Sequence, residues 1–207
     1  MNEQEAKTKL ISLGFSQADI GKLEIFHELL LDYNQKYNLI SKSTVNLVWS
    51  RHILDSAQLL RFFNTKNSLS LADLGSGAGF PGIILAIYNK NTQFHVKLYE
   101  KSPVKRHFLD IVRKKLGINF EIFDNVYGGL INDDIIVCRA FKKLDEILKI
   151  SREIVKKNHK IIILKGKNAQ DEINKVSLSS DYSYKLLNSI TDADSKIIII
   201  NALKNEQ

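Results

Sequence analysis

The sequence predicts an α/β protein with a doubly wound, seven-stranded sheet whose last strands form an antiparallel pair, preceded by a helical extension. Two observations lead to this fold class. After residue 64, short β-rich runs alternate with helix-length segments, which is typical of a parallel sheet covered by helices. Before it, apolar residues recur at the spacings of amphipathic helices. We therefore expect an N-terminal helical cap over 1–64 and one compact α/β domain over 65–207.

The helical extension is predicted from two apolar stripes. The first consists of Leu23, Phe26, Leu30, Tyr33 and Tyr37, and the second, less regular one of Val45, Val48, His52, Ser56, Leu59 and Phe63. Residues three and four apart lie on one face of a helix. Both stripes are most simply explained as faces that pack on the core.

The strands are predicted from seven β-rich runs, which are SLADL, FHVKLY, FEIF, DIIVC, KIIIL, YSYKLL and KIIIINA. The first five alternate with helix-length segments, so they predict parallel neighbours. The last two are separated only by NSITDADS, which is too short for a crossover helix. We therefore expect five parallel strands followed by an antiparallel pair.

Composition and charge restrict the function classes. The net charge is +7, and seven basic residues fall between Lys97 and Lys115. Such a stretch attracts phosphate backbones, although a solvated helix face explains it equally well. The single cysteine excludes an internal disulfide, and the five histidines are too scattered for a local zinc motif. Because the sequence shows no signal peptide and no membrane-length apolar run, we expect a cytoplasmic protein without metal.

The densest glycine cluster, Gly75 to Gly82, lies between the first strand and its helix. Glycines permit a tight turn and the close approach of a ligand, and the N-terminus of the helix offers free N–H groups. Gly77, Gly79 and Gly82 satisfy G-x-G-x-x-G, so NAD is one candidate ligand. Asp73, two residues before the first glycine, instead favours a ligand with a positive end, such as the amino group of S-adenosylmethionine.

Candidate ligand-binding residues also follow the other predicted parallel strands, and they would meet at one crevice outside the carboxyl ends of the sheet. These residues are Glu100 after the second strand, Asn125, Val126 and Tyr127 after the third, Arg139 after the fourth and Lys165 after the fifth. Glu100 is placed to bind the ribose of a nucleoside. Arg139 and Lys165 suit a polyanionic substrate, although Lys165 is equally well explained as a surface lysine at a strand end.

If the ligand is S-adenosylmethionine, the protein transfers a methyl group, and the residues missing from the strand ends restrict which atom of the substrate can accept it. The two prolines, Pro81 and Pro103, leave no Asn/Asp-Pro-Pro-aromatic loop, the usual site of adenine-amino methylation. Methylation of a ring carbon needs a nucleophilic cysteine, whereas Cys138 lies inside an apolar strand where a structural thiol is expected. With adenine-amino and ring-carbon methylation disfavoured, the methyl acceptor is expected to be an atom that needs little activation, such as guanine N7 or an oxygen.

Six motifs stand in the order and spacing of one family. They are KYNLIS (36–41), RHILDS (51–56), DLGSGAGFPGI (73–83), KRHFL (105–109), CRAF (138–141) and LKG (164–166). Over roughly residues 20–203 the chain resembles the bacterial small-subunit ribosomal RNA guanine-N7 methyltransferases, also called glucose-inhibited division protein B. The resemblance implies a Rossmann-like class I methyltransferase that uses S-adenosylmethionine and acts on a guanine of 16S ribosomal RNA.

The resemblance, combined with the loop and strand-end residues, gives each candidate residue an expected role. The expected cofactor contacts are Asp73, Gly75, Gly77, Gly79, Phe80, Glu100, Asn125, Val126, Tyr127 and Arg139, and Arg139 is also the expected catalytic residue. The expected RNA contacts are Arg51, His52 and Asp55 near the mouth of the pocket, together with Lys105, Arg106, Phe141 and Lys165. Phe80, Phe141 and Arg139 are candidates to hold a flipped guanine.

The chain departs from the family pattern at two places. Tyr127 stands where the family often carries an acidic residue, so adenine recognition would rest on backbone groups and stacking. Ser195 and Lys196 stand where family members often show an Arg-His pair. An RNA contact is therefore lost at this point, or it passes to Lys196.

Other interpretations of the same residues stay open. Arg51 and Asp55 are four apart on a predicted helix, so a plain ion pair with His52 as a core histidine also fits. An NAD-dependent oxidoreductase is the enzymatic alternative. A noncatalytic RNA-binding or assembly protein with a methyltransferase fold is another, and a small-molecule methyltransferase a third. The sequence weakly favours a monomer.

Overall fold

The computed structural model describes residues 1–64, 69–128, 131–176 and 182–203, and it contains one seven-stranded sheet. The strands are β1 (Ser70–Leu74), β2 (His95–Tyr99), β3 (Glu121–Phe123), β4 (Ile135–Arg139), β5 (His159–Lys165), β6 (Tyr182–Asn188) and β7 (Lys196–Ala202). Their order across the sheet is β3-β2-β1-β4-β5-β7-β6. The order reverses next to β1, so the end of β1 is the switch point where such sheets bind ligands.

Strand directions confirm the predicted sheet. Strands β1 to β5 are parallel, whereas β7 pairs antiparallel with both β5 and β6. The central strands β1, β4 and β5 are apolar on both faces because helices cover both sides of the sheet. The short 189–195 segment joins β6 to β7 as a turn at the carboxyl end of β5.

Helices cover the two faces of this sheet. They are α1 (Glu3–Ser12), α2 (Gln17–Tyr37), the single turn α3 (Asp55–Ala57), α4 (Gly82–Tyr88), α5 (Pro103–Leu116), α6 (Leu144–Ile154) and α7 (Ala169–Lys175). Helices α1, α2, α4 and α5 share one apolar core with one face of the sheet, while α6 and α7 pack on the other face. The N-terminal helices therefore form part of the main core. The predicted boundary at residue 64 between a helical cap and the α/β domain stays a prediction.

The first apolar stripe forms α2 as predicted, with Leu23, Phe26 and Leu30 fully buried. Helix α2 begins at a capping box in which Ser16 and Asp19 exchange hydrogen bonds with each other's backbone. The second stripe does not form a regular helix. It contains 3₁₀ turns at Lys42–Leu47 and Gln58–Phe62, which flank a π-helix at Val48–Leu54 and the short α3.

The irregularity of the 42–62 segment follows from its hydroxyl side chains. Thr44 Oγ1 donates to the carbonyl of Ser41, and Ser56 Oγ donates to the carbonyl of His52. Such local bonds compete with the regular helical ladder. The π-helix carries Arg51 and His52, and π turns are frequent at functional sites. Among the described residues, no helix is both long and apolar enough to cross a bilayer.

Candidate active site

A large cleft opens at the carboxyl ends of the parallel strands, with a volume of about 530 Å³. It is lined by Leu39, Ile40, Gly75, Ser76, Gly77, Ala78, Phe80, Tyr99, Glu100, Lys101, Lys105, Asp124, Asn125, Val126, Tyr127, Arg139, Ala140, Phe141 and Lys142. The structure thus brings together the ends of β1, β2, β3 and β4 at one crevice, as the sequence predicts. Loop residues from the N-terminal segment, 39–40, close one side.

The glycine loop after β1 is shaped by positive φ angles. Gly75, Gly77 and Gly79 have φ values of +74°, +59° and +97°, which other L-residues rarely adopt. At Gly75, a Cβ atom would come within 2.4 Å of Phe141 Cδ2. The N–H groups of Gly75 and Ser76 both donate to the Tyr99 carbonyl, at 2.8 and 3.0 Å. The glycines therefore hold the loop tightly against the end of β2 and against Phe141.

The expectation of free N–H groups at the start of α4 is wrong for its first residues. Gly82 N–H donates to Asp73 Oδ2 at 2.9 Å, and Ile83 N–H donates to the Gly79 carbonyl at 2.8 Å. A Cβ at Gly82 would also lie 2.1 Å from Leu98 Cδ2. Gly82 is therefore required for packing of α4 against the sheet, which explains the apparent dinucleotide motif without a dinucleotide.

Asp73 lies behind the glycine loop and does not line the large cleft. Its side chain is fully buried, and burial raises the pKa of the carboxyl group to about 7. Within the described part of the chain, its Oδ1 has no hydrogen-bond partner. The structure therefore assigns Asp73 to holding the loop through Gly82, and it shows no open path for the direct ligand contact expected from the sequence.

Glu100 is fixed at the end of β2 by two backbone groups. Its Oε2 accepts from Gly77 N–H at 2.9 Å and its Oε1 from Ser102 N–H at 2.8 Å. The residue is 7% exposed and lines the large cleft. Because each carboxylate oxygen has two lone pairs, Glu100 can still accept hydrogen bonds from a ligand.

The turn after β3 forms the opposite wall of the large cleft. Asn125 Oδ1 accepts from Tyr127 N–H at 2.9 Å, so the amide side chain of Asn125 stabilises its own turn. Val126 is half-buried and Tyr127 is 57% exposed, and both line the cleft. This segment offers an apolar side chain and an open aromatic ring where the sequence predicts contact with adenine.

Arg139, at the end of β4, is held by the 42–62 segment. Its Nη1 donates to the Arg51 carbonyl at 3.1 Å, and its Nη2 lies 2.7 Å from His52 Nδ1. The guanidinium carbon stands 4.9 Å from the centre of the Phe80 ring, which is within cation–π range. The Phe80 side chain is 2% exposed and also packs on His52 and Phe26. Phe80 therefore supports Arg139 and has no open face on which a base could stack.

The tautomer of His52 follows from its partners. A guanidinium can only donate, so His52 Nδ1 must accept, and the proton lies on Nε2. His52 Nε2 then donates to Thr44 Oγ1, 2.8 Å away. Burial, reinforced by Arg139 and Arg51, lowers the pKa of His52 to about 3. His52 is therefore a neutral hydrogen-bond acceptor that orients Arg139.

A second opening, here called the side cavity, adjoins the large cleft and has a volume of about 360 Å³. It is lined by Thr44, Arg51, His52, Asp55, Arg139, Ala140, Leu164, Lys165, Gly166, Thr191 and Ser195. Arg139 and Ala140 border both openings. Ala140 has a φ of +49°, and such strained residues are often found at functional sites.

The alternative interpretation of Arg51 and Asp55 as a plain ion pair is wrong. Arg51 instead forms a salt bridge with Asp192 in the β6–β7 turn. Asp55 Oδ1 accepts from Gln58 Nε2 at 2.8 Å, from Thr191 Oγ1 at 2.7 Å and from Ser189 Oγ at 3.1 Å. The π-helix points both side chains at the turn, which the sequence analysis treated only as a connection.

The remaining predicted RNA residues have different surroundings. Lys105 and Phe141 line the large cleft. Lys165 lines the side cavity, but its ammonium donates to Glu172 Oε2 and to the Lys142 carbonyl, both at 2.7 Å. Arg106 lines neither opening, and its Nη1 donates to the carbonyls of Glu100 and Lys101. Arg106 is therefore a structural residue that fixes the loop after β2.

Much of the basic stretch between residues 97 and 115 is paired internally. Lys97 pairs with Asp133, whereas Arg113 and Lys114 both pair with Asp110. Lys196, proposed to replace a lost RNA contact, donates to Asn188 and to the Ala193 carbonyl within its own turn. These internal pairs reduce the basic surface that the 97–115 stretch offers to RNA.

Two further sequence expectations concern the single cysteine and metal binding. Cys138 is fully buried, and burial raises the pKa of its thiol, so a nucleophilic thiolate is disfavoured. Among the described residues, no group of three or more His, Cys, Asp or Glu side chains is arranged to hold a metal. The site thus consists of a glycine loop, an anchored carboxylate and a half-buried, oriented arginine.

Several solved structures of similar fold are methyltransferases. The chain is similar to the O-methyltransferase from Bacillus cereus in complex with SAH, with a TM-score of 0.58 and 13% identity, covering 86% of this chain and 90% of that one. It is also similar to ribosomal protein L11 methylase from Lactobacillus delbrueckii subsp. bulgaricus, with a TM-score of 0.57 and 14% identity, covering 73% and 78%. At this identity the likeness shows the fold, that of the Rossmann-like class I methyltransferases.

Relatives in sequence narrow the class to one family. Residues 19–198 match the GidB family, described as rRNA small subunit methyltransferase G. Ribosomal RNA small subunit methyltransferase G from Orientia tsutsugamushi (strain Ikeda) is 38% identical over 192 residues, or 92% of this chain and 94% of that protein. The protein of the same name from Pelagibacter ubique (strain HTCC1062) is 34% identical over 191 residues, 89% of each chain. The chain belongs to the rRNA small subunit methyltransferase G family.

Proposed function

We propose that this protein transfers a methyl group from S-adenosylmethionine to N7 of a guanine in 16S ribosomal RNA of the small ribosomal subunit. The observation that carries the proposal is the pair of adjoining openings that share Arg139 and Ala140. The large cleft has the glycine loop and acidic strand end that suit a nucleoside cofactor. The side cavity is bordered by cations that suit RNA.

The large cleft fits S-adenosylmethionine in size and in chemistry. Its volume of about 530 Å³ lies within the usual range for ligand pockets. Glu100 keeps a lone pair on each oxygen for the ribose hydroxyls. Val126 and Tyr127 offer contact area to the adenine. The unpartnered Oδ1 of Asp73 supplies negative charge behind the loop for the amino group of the methionine portion.

When bound, S-adenosylmethionine supplies a sulfonium methyl group, which the N7 lone pair takes up as the methyl–sulfur bond breaks and its electrons return to sulfur. Guanine N7 carries no proton, so the chain needs no general base for this acceptor. Its task is to bring the two reactants into line, an effect that can account for much of an enzymatic rate enhancement. The unreactive Cys138 agrees with an acceptor that needs no covalent activation.

Arg139 is the residue best placed to orient a reactant at the boundary of the two openings. His52 and the Arg51 carbonyl use two of the five N–H donors of its guanidinium, and the others are available for a cofactor carboxylate or a base. The methylated base carries a positive charge. A fixed cation beside it therefore favours product release more than it favours the chemical step.

The alternatives are less well supported by the site. An oxidoreductase would need the glycines for a dinucleotide, whereas Gly82 is explained by packing against Leu98 and Asp73. A decayed, noncatalytic protein would not be expected to keep an oriented arginine and an anchored Glu100 in one cleft. A small-molecule methyltransferase is disfavoured by the family to which the chain belongs, whose members are named for small-subunit rRNA.

We also propose that the protein acts as a monomer in the cytoplasm. Ribosomal subunits are the acceptor in this proposal, which places the protein where they are assembled. Light scattering during size-exclusion chromatography tests the monomer, and a dimer mass would contradict it.

The proposal is tested by incubating the purified protein with methyl-labelled S-adenosylmethionine and three acceptors. These are small subunits from cells lacking this gene, ribosomal RNA freed of protein, and large subunits from the same cells. We expect label in small-subunit RNA and none in large subunits. Label in large subunits alone, or none in any RNA while the donor still binds, would exclude the proposed acceptor.

A further inference from the structure

The side cavity contains one carboxylate among its lining residues, that of Asp55, in a wall that is otherwise neutral or basic. Asp55 is 9% exposed. Its Oδ1 is occupied by Gln58, Ser189 and Thr191. Its Oδ2 forms no hydrogen bond within the part of the chain that the structure describes. Asp73 and Asp133 are fully buried, whereas Asp55 keeps a small exposed fraction and borders the side cavity.

A buried carboxylate oxygen that keeps both lone pairs calls for a hydrogen-bond donor. Phosphates cannot supply this donor, because they bring only acceptors and negative charge. Among the bases, guanine presents two neighbouring donors on its Watson–Crick edge, N1–H and the N2 amino group. Adenine offers an acceptor at N1, so Asp55 Oδ2 would reject it.

The position of Asp55 agrees with the orientation that the reaction requires. Arg139 and Ala140 border both openings, whereas Asp55 borders only the side cavity. The N2 amino group of guanine lies on the far side of the ring system from N7, so a guanine whose N7 faces the shared border can direct N2 and the adjoining N1–H into the side cavity. The side cavity, at about 360 Å³, is near the lower end of the usual range for small-molecule pockets and suits a single extruded base.

We infer that the side cavity is the pocket for the acceptor guanine and that Asp55 Oδ2 selects guanine by accepting hydrogen bonds from N1–H and the N2 amino group. This inference rests on the proposed function. Gln58, Ser189 and Thr191 all donate to Oδ1, which leaves both lone pairs of Oδ2 for a ligand.

The inference is tested with small subunits reassembled from 16S RNA that carries either guanosine or inosine at the methylated position. Inosine keeps N7 and N1–H but lacks the N2 amino group. For the wild-type protein we expect kcat/KM to fall by about tenfold to a hundredfold with inosine, the range for one hydrogen bond to a charged acceptor. Equal kcat/KM values for the two acceptors would overturn the inference, and this comparison needs no variant that must fold.

The variant Asp55→Asn keeps an oxygen for Gln58, Ser189 and Thr191 but replaces Oδ2 with an N–H₂ group. We expect the guanosine-to-inosine ratio of kcat/KM to fall close to one in this variant, because the N2 amino group no longer meets an acceptor. A difference in N7 reactivity between guanosine and inosine affects the wild type and the variant equally, so it cancels when their two ratios are compared. A ratio as large as that of the wild type would overturn the role of Asp55.

Ser189→Ala is the matched control, because it removes one bond to Asp55 Oδ1 without changing Oδ2 or the lining of the side cavity. If Asp55 had only a structural role, Asp55→Asn and Ser189→Ala would change the guanosine-to-inosine ratio of kcat/KM in the same way. The inference predicts that Ser189→Ala lowers the free energy of unfolding but keeps the wild-type guanosine-to-inosine ratio. If the wild type methylates no guanosine at all, the proposed function itself fails.

Discussion

Arg139 Nη2 lies 2.7 Å from His52 Nδ1, and this hydrogen bond ties the end of β4 to the π-helix of the N-terminal segment. The bond is possible only because His52 is neutral, since a protonated imidazole has no acceptor nitrogen. Burial and the neighbouring arginines lower the pKa of His52 to about 3 and so maintain that state. The helical extension therefore helps to build the active site as well as the core.

Arg139→Ala is expected to abolish methyl transfer, with a loss of at least about a hundredfold, the scale seen when one oriented electrostatic group is removed from an active site. The fold is expected to persist, because the guanidinium makes two hydrogen bonds, to His52 and to the Arg51 carbonyl, and neither belongs to the sheet. Initial rates and the far-ultraviolet circular dichroism spectrum are the measurements. Arg113→Ala, which removes a cation paired with Asp110 on the surface, serves as the control. Unchanged turnover in Arg139→Ala would remove Arg139 from the site.

His52→Gln is expected to make the free energy of unfolding depend less steeply on pH below about pH 6.5. The unfolded histidine, with a pKa near 6.5, takes up a proton that the folded one, at about 3, refuses. Stability from this group is thus present above pH 6.5 and is lost as pH falls toward 3, by at most about 1.4 kcal/mol per pH unit. Denaturant unfolding from pH 4 to 7 checks this. Identical slopes for both proteins would contradict a neutral His52.

Asp73→Asn tests the carboxyl group behind the glycine loop. The folded pKa of about 7 lies above the unfolded value of 3.8, so the native state holds the proton more tightly. Stability from this group is therefore present below pH 3.8 and declines as pH rises to about 7. We expect the variant to lack this decline and to bind S-adenosylmethionine more weakly at pH 8, where Asp73 is charged. Calorimetric titration that shows equal affinity would remove Asp73 from cofactor binding.

Gly75→Ala is expected to weaken S-adenosylmethionine binding by more than tenfold. The new Cβ would lie 2.4 Å from Phe141 Cδ2, and the residue would need a φ of +74°, a strain of about 1–3 kcal/mol. Gly21→Ala is the matched control, because Gly21 lies inside α2 with nothing within 4 Å of the added Cβ. That change is expected to stabilise the protein by about 0.5–1 kcal/mol without altering binding. Similar affinities for both variants would contradict the account of the loop.

The parts of the fold that the sequence predicts well depend on local patterns. The alternation of β-rich runs and helices determines the sheet, and the short NSITDADS segment determines its antiparallel end. The crevice residues follow from the same logic, because every parallel strand ends at the same edge of the sheet. Gly75, Glu100 and Arg139 therefore lie together as predicted.

The contacts that the sequence analysis missed depend on where the backbone leaves regular geometry. A regular helix places Arg51 beside Asp55, whereas the π-helix turns both toward the β6–β7 turn. Thr44 has no distinguishing motif, and its role appears only through the distance to His52. Asp73 was expected to face the ligand, but a carboxylate before a glycine loop can equally well cap the loop from behind.

The most direct test of the central claim is the position of the methyl group. Small subunits from cells lacking this gene are methylated with the purified protein, and their 16S RNA is reduced and cleaved at N7-methylguanosine. The account predicts one new cleavage at a single guanine that is absent without the protein. A methyl group that is transferred to the RNA but gives no such cleavage would lie on another atom or another base. That result would contradict both N7 methylation and the guanine pocket.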